Sequence, residues 1–176
     1  MFDDCTMVLF TIVNQTSPTC LRQDVVMDVV CEDKKFLDGH AHAGFVDGAR
    51  MVLGKCAAVL ERALCDHFGY ALVVCGHSMG GSVAIALALQ LQRGGAAVVV
   101  PPGVAVRCVA LGPAPVCRGS LPSSPPSCVR IYINNRDVVP RLRWSSMTHD
   151  SAQCLVIAKI LEIKPSVSYD LYSQVS

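Results

Sequence analysis

Apolar and polar positions along the chain alternate between two patterns, one typical of buried strands and one typical of helices. Continuous apolar runs at residues 7–13, 71–75 and 104–111 predict three β-strands, of which the first is expected to be covered on both faces. A fourth strand is predicted at residues 128–133. Gly76 is expected to end the second strand, and the segment 112–127, rich in Pro, Ser and Gly, is expected to be a loop.

The segments between these strands predict helices. From residue 44 to residue 68 apolar side chains recur at three- and four-residue steps, which indicates an amphipathic helix of about six turns. Residues 81–92 are apolar almost all round, so a buried helix is expected there. A third helix is predicted at residues 151–163, before Pro165. Strands that alternate with helices indicate an α/β fold with a mostly parallel sheet.

Composition and charge narrow the class of protein. The chain has 176 residues, of which 52% are hydrophobic and 16% charged, a balance that excludes a disordered protein. Lys and Arg number 15 and Asp and Glu 14, so there is no basic surplus of the kind that binds nucleic acid. The length fits a single domain over residues 1–176.

The cysteines and the N-terminus bear on location. None of the ten cysteines forms a C-x-x-C pair, which argues against a zinc site, and Cys75 and Cys108 are expected to be small buried hydrophobes in a reducing compartment. The N-terminus is acidic, and no apolar run approaches the ~20 residues that span a bilayer. We therefore expect no signal peptide and no transmembrane segment in this chain, and a cytoplasmic or peripheral membrane location.

One motif carries the chemistry. The sequence Gly-His-Ser-Met-Gly-Gly at residues 76–81 lies between a predicted strand and a predicted helix, which is the context of a G-x-S-x-G nucleophile elbow. Side chains two residues before and after Ser78 would collide with neighbouring backbone, so glycine is required there. Ser78 is the predicted nucleophile, and the Met79 amide at the helix N-terminus is the predicted oxyanion donor. His77 is interpreted as a structural neighbour.

An acidic residue follows at the end of a later strand. A serine hydroxyl is a weak nucleophile without a base, and hydrolases with this elbow follow the chain order Ser, acid, His. Asp137 is the only acidic residue between Ser78 and Asp150. We predict that it orients a histidine and stabilises the imidazolium, the alternative being an aspartate that only caps its loop.

Four segments together resemble the class 3, or fungal-type, lipases, particularly their diacylglycerol lipase-like branch. They are His-Ala-Gly-Phe at 42–45, the elbow at 76–81, Ala-Leu-Gly-Pro-Ala-Pro at 110–115 and Asn-Arg-Asp-Val-Val-Pro-Arg at 135–141. The resemblance implies an α/β-hydrolase three-layer sandwich with helices on both faces of the sheet. It also implies a carboxylic ester hydrolase of lipid metabolism that cleaves di- or triacylglycerol through an acyl-enzyme on Ser78, with no metal or organic cofactor.

The resemblance further implies a second oxyanion residue and a lipid surface. Counted back from Asp24 and Asp28, the matching tripeptide is Ser-Pro-Thr at 17–19, where Thr19 keeps a hydroxyl that could donate to the oxyanion. The alternative for Thr19 is a plain turn. His42 is expected to be a structural residue packed near the site. The substrate would lie in a membrane or lipid droplet, which the protein would contact peripherally.

The histidine of the triad is not evident. Of the five histidines only His149 follows Asp137, twelve residues later and before the strand that would normally present the base. We expect the base to lie beyond Ser176, which would make the domain incomplete at its C-terminus. The alternatives are that His149 substitutes, or that the chain is a catalytically impaired homologue acting as a lipid-binding or interaction module. A phospholipase A1 or an acyltransferase could share the same elbow.

Overall fold

The computed structural model describes residues 7–12, 33–94, 100–118, 128–137 and 139–141. Contacts divide the chain into two units, Met1–Trp144 and Ser145–Ser176, and every described residue belongs to the first. The helix predicted at residues 151–163 lies outside the described residues. The described elements, in chain order, are β1 (Met7–Ile12), β2 (Asp33–Phe36), β3 (Gly39–His42), α1 (Ala43–Asp66), β4 (Ala71–His77), α2 (Met79–Arg93), β5 (Val106–Leu111), β6 (Cys117–Arg118), β7 (Val129–Tyr132) and a short 3₁₀ helix (Val139–Arg141).

The main sheet has four strands in the order β1-β4-β5-β7, and every neighbouring pair is parallel, as predicted. Parallel strands bring their carboxyl ends to one edge of the sheet. At that edge Gly76 of β4 lies opposite Ala110 of β5, and Ala110 lies opposite Ile131 of β7. The segments that follow these three strands therefore start next to one another.

The first strand is less covered than its sequence predicts. Met7 is 42% exposed and Leu9 is 60% exposed, and Thr11 on the same face is also exposed. Among the described elements α2 packs chiefly on β4 and β5, the middle of the sheet, rather than on β1. The prediction that both faces of this strand are covered is therefore wrong for the face that carries these three residues.

The helices follow their predicted positions closely. α1 buries half of the apolar stripe that the spacing predicts. Of the rest, Val59 is 73% exposed, Phe68, beyond the helix end at Asp66, is 80% exposed, and the other three residues are half-buried. α2 begins at Met79, two residues earlier than predicted, and is buried almost throughout its length, as predicted. It packs on β4 and β5, while α1 packs on α2. The buried stripe of α1 comprises Phe45, Val46, Gly48, Ala49, Leu53, Leu60 and Leu64.

A small antiparallel sheet, β2-β3-β6, was not predicted. β2 and β3 form a hairpin across Leu37 and Asp38, and β6 lies within the segment predicted to be a loop. Leu37 adopts a φ of 52°, and Arg93 at the end of α2 forms an ion pair with Asp38. This pair joins the hairpin to the C-terminal end of α2, and Phe36 and Ala41 of the hairpin are buried in the core.

Of the cysteines placed in apolar runs, Cys108 of β5 is buried, as predicted, whereas Cys75 of β4 is only half-buried. Burial, with smaller contributions from Cys75 and Cys128 nearby, raises the pKa of Cys108 to about 12. Cys108 is therefore a neutral thiol at physiological pH. None of the helices in the described ranges is both long and apolar enough to cross a membrane.

Candidate active site

Ser78 occupies a strained turn between β4 and α2. Its φ is 53° and its ψ is −126°, a backbone conformation that residues other than glycine rarely adopt. Backbone strain of this kind costs on the order of 1–3 kcal/mol and is concentrated at functional sites. The turn places Ser78, half-buried, at the N-terminal end of α2 and at the carboxyl edge of the main sheet.

The glycines of the elbow are required by close approach of backbone. A Cβ on Gly76 would overlap the carbonyl of Gly80 and lie 2.7 Å from the backbone nitrogen of Gly81. A Cβ on Gly80 would lie 2.9 Å from the carbonyl oxygen of Ile12 on β1. Distances under 3.0 Å are essentially never seen for a real Cβ atom. The collisions predicted from the sequence on both sides of Ser78 are therefore present.

Two hydrogen bonds fix the backbone of Ser78. Its N–H donates to the carbonyl oxygen of Leu111, at the end of β5, over 2.8 Å. Its carbonyl oxygen accepts the N–H of Ser82 over 3.1 Å, which starts the hydrogen-bonding pattern of α2. Met79 is the first residue of α2, and the first amides of a helix have no partner within the helix. His77 is exposed.

Asp137 is held in a loop that we call the acid loop, residues 134–137 and 139–141. The Asp137 N–H donates to the Asn134 carbonyl over 2.9 Å, and its Oδ1 accepts the Val139 N–H over 3.0 Å. The Arg141 guanidinium donates from Nε to the Asp137 carbonyl over 3.1 Å and from a terminal nitrogen to the Asn135 carbonyl over 2.9 Å. The half-buried carboxyl group is thereby fixed relative to its own loop.

Gly112 connects the elbow with the acid loop. It has a φ of 52°, and its N–H donates to the Tyr132 carbonyl at the end of β7 over 2.8 Å. A Cβ at this position would overlap Asp137 Oδ2 and lie 3.5 Å from Asp137 Cγ. The carboxyl group of Asp137 therefore lies against Gly112, the residue after the Leu111 that anchors Ser78. The structure brings Ser78, Met79 and Asp137 to the same edge of the sheet.

Three further residues were singled out from the sequence: Thr19, His149 and His42. Thr19 and His149 lie outside the described residues. His42 is 2% exposed, stacks on Phe45 with the ring centroids 4.3 Å apart, and donates its backbone N–H to the Val116 carbonyl over 3.0 Å. It is a packed residue at the start of α1, as expected.

Sequence reasoning assigned no role to two residues that shape the site. Gly112 lies in the segment 110–115 noted above, and the signal for it was a glycine directly after a predicted strand. Ser82 is 0% exposed and donates from Oγ to the Ala114 carbonyl over 3.0 Å. Its signal was a lone hydroxyl in a helix otherwise apolar almost all round, because a buried polar group needs a partner.

This arrangement suits nucleophilic chemistry. A hydroxyl on a strained turn at a helix N-terminus can approach an electrophile while the helix amides stabilise negative charge. Within the described ranges, no group of three or more His, Cys, Asp and Glu side chains could hold a metal ion.

We compared the chain with protein-family models, curated protein sequences and solved structures. Residues 11–146, more than three quarters of the chain, match the family model described as Lipase (class 3). A search of curated protein sequences finds no significant match. Among solved structures, a fungal lipase in complex with an inhibitor superposes with a TM-score of 0.60 at 23% identity, covering 76% of this chain and 50% of that one.

Two further structures agree. The triacylglyceride lipase of Rhizomucor miehei gives a TM-score of 0.58 at 24% identity, covering 76% of this chain and 51% of its own. A lipase from Rhizopus microsporus var. chinensis gives 0.57 at 20% identity, covering 69% and 43%. The chain thus spans about half the length of the solved lipases it matches. At these identities the superpositions establish a shared fold, the α/β-hydrolase fold.

Proposed function

The chain belongs to the class 3 lipase family, and from this premise we propose that it is a serine ester hydrolase whose nucleophile is Ser78. The observation that supports this most strongly is the conformation of Ser78, with a φ of 53° on a turn where a Cβ on Gly76 or Gly80 would collide with backbone. The structure maintains this strain at a residue whose hydroxyl can react, and Asp137 lies beside its anchoring segment.

The proposed reaction is acyl transfer through a covalent intermediate. Ser78 Oγ attacks the ester carbonyl carbon while its proton passes to a histidine. The Met79 N–H, with Thr19 as a second donor, stabilises the negative charge on the carbonyl oxygen. The C–O bond to the alcohol then breaks, the histidine returns its proton to the departing alcohol, and an acyl-enzyme remains. Water attacks the acyl-enzyme, again with the histidine as base, and releases the fatty acid.

Asp137 is proposed to orient the histidine. Its Oδ1 already accepts the Val139 N–H, so we assign Oδ2, on the side of Gly112, as the acceptor for the imidazole. The base itself is proposed to be a histidine outside the described residues. His149→Ala distinguishes two sources: loss of activity assigns the role to His149, and unchanged activity assigns it to a histidine elsewhere.

The proposed substrates are acylglycerols, in particular diacylglycerol, presented at a lipid surface. Support comes from the family match and from the resemblance of four segments together, residues 42–45, 76–81, 110–115 and 135–141, to the diacylglycerol lipase-like branch of that family. One of the superposed structures is named as a triacylglyceride lipase.

Hydrolysis assays test this assignment. The purified full-length protein is given diacylglycerol, triacylglycerol, phosphatidylcholine and a short p-nitrophenyl ester in separate assays, with Ser78→Ala as the control in each. We expect Ser78-dependent release of fatty acid that is fastest from diacylglycerol. Faster release from phospholipid would instead indicate a phospholipase A1. No Ser78-dependent release from any ester would contradict the hydrolase assignment and favour a lipid-binding module.

A further inference from the structure

One buried hydroxyl near the site has no part in the reaction proposed above. Ser82, in the first turn of α2, is fully buried in a helix whose other buried residues carry no polar side chain. Its Oγ donates to the Ala114 carbonyl over 3.0 Å and lies 3.4 Å from the Ser78 carbonyl. The shorter distance marks the bond to Ala114, 32 residues away in sequence, as the principal one.

The acceptor of this bond belongs to residues 111–114, which we call the bridge segment. Its first residue, Leu111, accepts the Ser78 N–H over 2.8 Å. Its second residue, Gly112, contacts the carboxyl group of Asp137 through its Cα. Its third, Pro113, packs against Gly81, where an added Cβ would stand 3.3 Å from Pro113 Cβ. The bridge segment therefore contacts the nucleophile at one residue and the acid at the next.

We propose that Ser82 is a positioning residue of the active site: its buried hydroxyl holds the bridge segment on α2 and thereby sets the position of Asp137 relative to Ser78. The catalytic effect of Ser82 rests on the proposed function, whereas its effect on the position of the bridge segment does not. Ser78 directly precedes α2, and its carbonyl oxygen accepts the N–H of Ser82, a residue of the first turn of α2, over 3.1 Å. A bond from Ser82 to Ala114 therefore fixes the bridge segment in the frame of the nucleophile.

A small displacement is enough to affect catalysis. Without the hydroxyl, the Ala114 carbonyl loses this donor, and the bridge segment is held to the elbow by the Leu111 bond and by packing alone. Asp137, which lies against Gly112, would move with the segment. Because triad geometry tolerates errors of only about 0.5 Å, we expect a loss in the rate of the chemical step rather than in substrate binding.

The first experiment measures covalent labelling of Ser78 by a fluorophosphonate in Ser82→Ala, Ser82→Thr and Val83→Ala. Val83 is the matched control because it is the next residue of α2, its side chain packs against Gly48 of α1, and its truncation removes two buried methyl groups. We expect Ser82→Ala to label about tenfold more slowly at saturating probe, with an unchanged half-saturating probe concentration. Ser82→Thr, which keeps the hydroxyl, and Val83→Ala should label within about threefold of the wild-type rate. Equal slowing in Val83→Ala and Ser82→Ala would overturn the proposal.

A second experiment is independent of activity. Amide hydrogen exchange by NMR follows the N–H groups of Gly112 and Val139, which bond to Tyr132 and Asp137. We expect both to exchange faster in Ser82→Ala than in wild type, and to be unchanged in Val83→Ala. Unchanged exchange in Ser82→Ala overturns the positioning role even if this variant labels slowly. Absence of labelling in the wild-type protein would contradict the proposed function, while the exchange result would still decide the role of Ser82.

Discussion

The elbow and the acid loop lie at the same edge of the sheet but are held in place by different means. The elbow is fixed by backbone contacts: Gly76 and Gly80 leave no room for a side chain, and most residues of the surrounding β4 and α2 are buried. In the acid loop residues 134–136 are exposed, and the loop is held by hydrogen bonds from the Arg141 side chain and to the Asp137 side chain.

This difference predicts two kinds of failure. Close-packed backbone tolerates no added atom, so substitutions in the elbow are expected to affect folding first. Hydrogen bonds on an exposed loop contribute little to global stability, so substitutions there are expected to affect the reaction first. Four variants test this contrast, and three of them have a matched control.

The largest effect is expected for Gly76→Ala. The new Cβ would overlap the Gly80 carbonyl, which is backbone and cannot rotate away, so we expect a loss of about 3 kcal/mol or more in the free energy of unfolding. Gly54→Ala is the control, because no atom lies within 4 Å of a Cβ added there in α1, and it should gain roughly 0.5–1 kcal/mol. Urea unfolding measures both. Equal stability of the two variants would contradict the backbone description of the elbow.

Asp137→Asn should have a large effect on activity and a small one on folding. The amide can still accept the Val139 N–H, but it cannot stabilise an imidazolium, so we expect ester hydrolysis to slow by about a thousandfold. The melting temperature should remain within a few degrees of the wild-type value. Activity within tenfold of wild type would assign Asp137 to loop capping alone.

Arg141→Ala should lower activity moderately. It removes two bonds to the carbonyls of Asn135 and Asp137, and both lie on an exposed surface, so we expect a rate loss of about tenfold and a stability loss below about 1 kcal/mol. Arg62, another exposed arginine, pairs with Asp66 on α1, and Arg62→Ala should change neither activity nor stability. A loss in the free energy of unfolding that exceeds the free-energy equivalent of the rate loss would show that Arg141, like the elbow glycines, affects folding first.

The smallest effect is expected for Ser78→Gly, measured as stability. Glycine relieves the strain at a φ of 53°, but it also raises the entropy of the unfolded chain, which lowers stability. The net gain in the free energy of unfolding should be about 1 kcal/mol. Ser78→Ala keeps a Cβ and should show no such gain. Both variants lose the nucleophile, so the difference in their melting temperatures reports the relief of strain less the entropic cost of glycine, roughly 0.5–1 kcal/mol. No difference, or a lower melting temperature for Ser78→Gly, would contradict the expected net gain.

Parts of this architecture determined by neighbouring residues could be predicted from the sequence. The elbow was predicted because the glycine spacing around Ser78 reflects collisions within a few residues. The parallel strands β4, β5 and β7 followed from apolar runs separated by a helix or a loop. Asp137 was found by chain order and by the lack of another acidic residue, and its loop starts at the same edge of the sheet as the elbow, with the end of β5 between them.

Other parts depend on packing that the sequence does not display. β6 has two residues, too few to produce a pattern, and it exists because β3 offers an edge to pair with. The hairpin turn places Leu37 at a φ of 52°, a conformation that no rule assigns to leucine, although Asp38-Gly39 is a known turn signal. Val59 has the spacing of a buried residue on α1 but no described element covers it. The role of Gly112 becomes visible only when Asp137 is placed against it.

The most direct test of the central claim, that Ser78 is an activated nucleophile positioned beside Asp137, is covalent labelling by a fluorophosphonate, with the modified peptide identified by mass spectrometry. We predict a single phosphonylated residue, Ser78, in the wild-type protein, no modification in Ser78→Ala and much slower modification in Asp137→Asn. A wild-type chain that folds but is not modified at Ser78, or is modified equally fast in Asp137→Asn, would contradict it.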